Sequence, residues 1–153
     1  MGSWTIKILA LNPPAEKGLI RTGRWVRKSR ANQGWAPIHL SYMVGVLLKN
    51  GYNCGLLDAC AQNMNEEMTF LYIKEVLHPD IVFYYWAYDS MQNDLLFADK
   101  LATHARVILV GPWSLCAPEA LLQTKHINIA TFGEFEQTAL ELLQNQHYSN
   151  IKG

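Results

Sequence analysis

The chemically capable residues of this chain are scattered, with no recognisable catalytic set. Cys54, Cys60 and Cys116 are an odd count without Cys-x-x-Cys spacing. That argues against a zinc or iron–sulfur centre and for small buried apolar side chains. His39, His78, His104, His126 and His147 show no ligand spacing. No nucleophile–base pair is visible, so an independent enzyme acting through Asp58, Glu134 or Glu136 ranks behind a binding function. The densest charge is basic. Lys17, Arg21, Arg24, Arg27, Lys28 and Arg30 are six of the 13 Lys and Arg residues and face one nearby acid, Glu16. Such a cluster suits phosphate, an anionic cofactor or an acidic partner surface, or else it is a solvated loop. Trp25 and Trp35 favour docking, because loop tryptophans often mark interfaces.

The 153 residues form one ordinary domain, and half are apolar, enough for a sizeable core. Net charge is zero, so wholesale nucleic-acid binding is not expected. No run of about 20 apolar residues offers a membrane span. The absence of a charged-then-apolar leader suggests a cytoplasmic protein without disulfides.

Short apolar runs alternate with longer helical patterns. Strands are expected at Thr5–Leu11, Tyr52–Leu57, Asp80–Tyr85, Arg106–Val110 and Ile127–Ala130. Helices are expected at Ile38–Asn50, Asn65–Leu77, Ser90–Thr103, Pro118–Gln123 and Glu134–Gln146. The near-continuous apolarity of the strands indicates burial on both faces. Strand and helix in alternation specify a three-layer, Rossmann-like, doubly wound sheet of five parallel strands with helices on both faces. The connection from Asn12 to Ala36 is far longer than the usual 2–6 residues.

In such sheets ligands bind beyond the carboxyl ends of the strands. Those ends carry Asn12-Pro13-Pro14, Asp58-Ala59-Cys60, Tyr85-Trp86-Ala87-Tyr88, Gly111-Pro112-Trp113 and Thr131-Phe132-Gly133-Glu134. The prolines end the first strand, because they cannot donate to a ladder. The Gly-x-Gly-x-x-Gly dinucleotide fingerprint is missing. Gly18 and Gly23 have phosphate-loop spacing, but Arg24 and Trp25 follow where Lys and Ser or Thr are needed. Receiver-domain acids are replaced by Asn12-Pro13 and Trp86-Ala87.

The order of several short motifs resembles one family, the cobalamin-binding domain that precedes the barrel of many radical-SAM enzymes. The matching features are Asn12-Pro13-Pro14, the Pro37-led "APIHLSYMVGVLLKNGY", Leu57-Asp58-Ala59, Pro79-Asp80, Gly111-Pro112, Pro118-Glu119, and Gly133-Glu134 with Glu136 and Thr138. The likeness runs from about Ile6 to Leu143. It implies a flavodoxin-like sheet with a corrin ring on its C-terminal edge. The implied contacts are Asn12, Pro13, Asp58, Tyr85, Trp86, Gly111, Pro112, Trp113, Gly133, Glu134 and Phe135. Gly111 and Gly133 let backbone come close to a large ligand, and the start of the last helix offers free N–H groups.

The chain lacks the methionine-synthase-type Asp-x-His-x-x-Gly and the Cys-x-x-x-Cys-x-x-Cys of the radical-SAM cluster. The implied role is therefore a cobalamin module serving a radical-SAM domain or subunit, in cis or in trans, for methyl transfer or related chemistry. The iron–sulfur cluster and S-adenosylmethionine would belong to that partner, and the chain alone would not be catalytic. Where the family has small or hydroxyl residues after the third strand, this chain has Tyr84, Tyr85, Trp86 and Tyr88; Trp113 stands where the family often has His, and Phe135 where it has Gly. These either stack on a corrin or fill its slot. The second case makes the chain a cofactor-free interaction or scaffold module, with the aromatics and the basic loop as its interface.

Overall fold

The computed structural model describes residues 7–15, 19–20, 27–28, 36–111, 117–131 and 133–145. Strand β1, Lys7–Asn12, is buried along all but its first residue. It lies in the middle of a parallel sheet of four strands, ordered β4-β1-β5-β6, with β4 at Asn53–Asp58, β5 at Ile81–Tyr85 and β6 at Arg106–Val110. Ile127–Ala130, expected as a fifth strand, adds only a parallel bridge from Ala130 to Leu109. Two backbone bonds hold it there: Leu109 N–H to Ile129 O at 3.0 Å and Thr131 N–H to Leu109 O at 2.9 Å.

Alternation along buried strands sends neighbouring side chains to opposite layers. Ile8, Ala10, Phe83, Tyr85, Ile108 and Val110 pack with helices α1 (Ile38–Lys49) and α5 (Phe135–Gln144). Leu9, Leu11, Val82, Tyr84, Val107 and Leu109 pack on the other face. That face is covered by α2 (Glu66–Tyr72), α3 (Met91–Leu101) and α4 (Ala117–Leu122). The expected three layers are therefore present.

Local chemistry sets the helix ends. Pro37 precedes α1, and Gly51, at φ +83°, turns the chain after it, a conformation a side chain would strain. The Asn65 side chain caps α2 by accepting from Met68 N–H at 2.8 Å. The helix expected to run unbroken to Leu77 instead changes at Ile73 into a π turn, Ile73–Leu77. His78 closes it in the left-handed conformation and donates its N–H to Ile73 O at 2.9 Å. In the long first connection, β2 (Leu19–Ile20) pairs antiparallel with β3 (Arg27–Lys28), so it contains a small ladder. The rest of the basic loop lies outside the described residues.

Candidate functional site at the C-terminal rim

The strand order changes direction between β1 and β5, and a ligand is expected at the carboxyl ends beside that point. Asn12 closes β1 and is 0% exposed. Its Nδ2 donates to Asp58 Oδ1 at 2.9 Å, across the β1–β4 pairing. The same carboxylate oxygen accepts Ala61 N–H at 3.0 Å, which shapes the turn after β4. With its amide nitrogen committed to Asp58, Asn12 turns its carbonyl oxygen elsewhere. Oδ1 is buried without a hydrogen-bond partner among the described residues.

The register carries a row across the sheet from this residue. Leu11 pairs with Tyr84, so Asn12 lies beside Tyr85; Tyr85 pairs with Val110. Leu109 bridges Ala130, so Val110 lies beside Thr131. Tyr85 and Val110 both face the α1/α5 layer. At the far end Thr131 is 2% exposed, and its Oγ1 also lacks a partner among the described residues. Three strand spacings separate Asn12 from Thr131, about 14 Å. A buried polar atom left unmatched costs roughly 1–3 kcal/mol.

The aromatic residues behave differently from a ligand shelf. Trp86 is 1% exposed and belongs to the α2–α3–α4 core. Its backbone N–H donates to Val110 O at 3.1 Å, while its indole Nε1 is buried and unpartnered among the described residues. Tyr85 lies in the other core layer, edge-on to Phe135 with ring centroids 6.2 Å apart. Gly111 is also explained from within. A Cβ there would come 2.9 Å from the Trp86 carbonyl oxygen, so the missing side chain makes room for the protein's own backbone. Gly133 is needed for its φ of +63°, and nothing lies within 4 Å of where its Cβ would be. Glu134 precedes α5 as an exposed residue whose side chain makes no cap bond. Pro13 is buried behind Asn12. Pro112 and Trp113 lie outside the described residues.

The rim therefore brings Asn12, Pro13, Asp58, Tyr85, Trp86 and Gly111 to the carboxyl ends of the strands, with Thr131 as a further member. Sequence reasoning noted Thr131 only as part of a strand end. Its value comes from register, which spacing along the chain does not reveal. Among the described residues no cluster of His, Cys, Asp and Glu is built to hold a metal ion. Burial pushes the Cys54 thiol up to about 11, which suits the inert apolar role expected for it. Among the described residues no helix is long and apolar enough to cross a membrane. No family model, curated protein or solved structure matches the chain.

Proposed function

We propose that this chain is a cobalamin-binding module that seats a corrinoid on the C-terminal rim of a flavodoxin-like sheet, for a radical-SAM domain or subunit in cis or in trans. The two unmatched polar atoms at the ends of that row carry the reading. Asn12 Oδ1 needs a donor, and Thr131 Oγ1 can donate or accept. A corrinoid presents amide groups around a wide ring, so it suits groups about 14 Å apart. The strand order, extended by Ala130 at the β6 edge, supports the flavodoxin-like reading. Tyr85 and Phe135 pack in the core layer beside the row, so a ring would lie on the rim outside them. When bound, the corrinoid supplies cobalt-centred group-transfer chemistry. This chain supplies hydrogen bonds, orientation and a dry wall.

A second reading is favoured by a different observation. Met68, Leu71, Tyr72 and Val76 are exposed along α2 and its π turn, and Tyr85, Trp86 and Phe135 are spent on the core. A cofactor-free interaction module would look like this. One titration separates the two. The purified chain is mixed with hydroxocobalamin, passed through a sizing column, and read by visible absorbance. Stoichiometric retained colour with a shifted spectrum is the expected result. A colourless protein after about 100 μM ligand, where even a ~10 μM site is mostly filled, overturns the cobalamin reading in favour of the interaction one.

A further inference from the structure

We infer that Tyr88, clamped in place by the buried carboxylate of Asp94, is the aromatic side chain on which the rim ligand rests; this builds on the ligand-binding reading above. In the stretch Tyr84–Tyr88, every residue from Tyr84 to Ala87 is buried, and Tyr88 is 51% exposed. Within this stretch, aromatic contact with a rim ligand therefore falls to the residue just beyond the strand end. Tyr88 begins the short 3-10 turn Tyr88–Ser90 that links β5 to α3, at the carboxyl end of β5 beside the point where the strand order turns.

Asp94 is 2% exposed, an unusual state for a carboxylate. Its Oδ2 accepts Ala87 N–H at 3.0 Å and Ser90 O–H at 2.8 Å. These bonds fix the chain before Tyr88 and at the end of its turn. Ser90 stands at the N-cap of α3, yet its hydroxyl makes no cap bond to the helix. The hydroxyl is directed to Asp94 instead. An ordinary helix start needs only a Ser or Asp accepting from backbone N–H groups. Here a buried carboxylate and a diverted cap residue hold one turn, and the exposed ring on that turn is Tyr88. Asp94 is thus a positioning residue, and Tyr88 the ligand contact. The ligand class is a flat, weakly polar ring system, held through the face of the phenol ring.

The test is hydroxocobalamin affinity of the full chain, with thermal melts as a folding check. Tyr88→Ala is expected to weaken binding about three- to tenfold, and Tyr88→Phe to leave it within about twofold. Asp94→Ala is expected to lose a similar factor, and Asp94→Asn, whose side-chain carbonyl still accepts both bonds, to recover it. The double variant Asp94→Ala/Tyr88→Ala should bind no worse than Tyr88→Ala alone, because Asp94 acts through Tyr88. A purely structural Asp94 gives additive losses instead. Should Asp94→Ala fail to fold, Ser90→Ala removes its clamp bond to Asp94 and completes the same cycle. Wild-type binding with an unchanged Tyr88→Ala, or an additive cycle, overturns this inference alone. Absence of wild-type binding overturns it together with the cobalamin reading.

Discussion

The two ends of the sheet are built in opposite ways. At the amino end, Asp80 ties three strands together. Its Oδ2 accepts Lys7 N–H at 2.7 Å, its own N–H donates to Lys7 O at 2.9 Å, and its carbonyl accepts Arg106 N–H at 3.0 Å. Nearby, Asp99 accepts backbone N–H bonds from Lys125 at 2.9 Å and His126 at 2.8 Å, and its Oδ2 meets His126 Nδ1 at 3.2 Å. At the carboxyl end, Asn12, Trp86 and Thr131 keep buried polar atoms unmatched among the described residues. One end spends its polar groups on stability. The other leaves some unmatched, at a cost in stability.

The largest way to break this contrast is Gly111→Ala. A Cβ 2.9 Å from the Trp86 carbonyl, at a φ of +156°, should destabilise the fold by roughly 2–4 kcal/mol. A chemical melt near wild type would mean the rim backbone yields more easily than its packing implies. Next is Asp80→Ala, which removes the carboxylate partner of Lys7 N–H and leaves the backbone bonds of residue 80 to Lys7 and Arg106 in place. A loss of about 1–3 kcal/mol is expected in the same melt, and it should not change hydroxocobalamin affinity.

Asp99→Asn sharpens the comparison through pH. Burial pushes the Asp99 carboxyl up, but backbone bonds from His126 and Lys125, together with the His126 ring, outweigh it and hold the group below the usual range. A depressed folded value means the stabilisation is complete above the unfolded value near 3.9 and is lost as pH falls through the folded one. Melting temperatures of wild type and Asp99→Asn should therefore differ at neutral pH and converge in strong acid. A constant gap would mean the carboxylate contributes only neutral hydrogen bonds.

The smallest effect is expected at the other end. Thr131→Val removes an unmatched hydroxyl at nearly constant shape, so stability should stay within about 1 kcal/mol or rise. Hydroxocobalamin affinity should fall. Clear destabilisation without loss of affinity would remove Thr131 from the ligand row and blur the contrast between the ends.

Much of the scaffold was legible because buried parallel strands are written as continuous apolar runs. Arg106–Val110 has the expected bounds, and apart from Ile127–Ala130 and the end of Asn65–Leu77 the other expected strands and helices differ by a residue or two at their described ends. Ile127–Ala130 was apolar enough to suggest a full strand, yet nothing in its composition says that only Ala130 meets β6. The π turn was hidden because Asn65–Leu77 keeps one helical pattern throughout. The site was less legible. Asn12 and Asp58 are 46 residues apart, and only strand order makes them partners. A run such as Phe83-Tyr84-Tyr85-Trp86 does not reveal whether its rings face ligand or core, since both layers are apolar. Tyr88 stands apart only once its neighbours are known to be buried.

The π turn at Ile73–Leu77 has a consequence for how the chain tolerates change in its length. A π turn holds about one residue more than the α turn it replaces, and such turns are frequent as single bulges within α-helices. The surplus is absorbed between Tyr72 and His78, ahead of β5. A one-residue gain or loss in evolution can be taken up there as a wider or narrower turn. The pairing of Ile8 with Ile81 then stays in step.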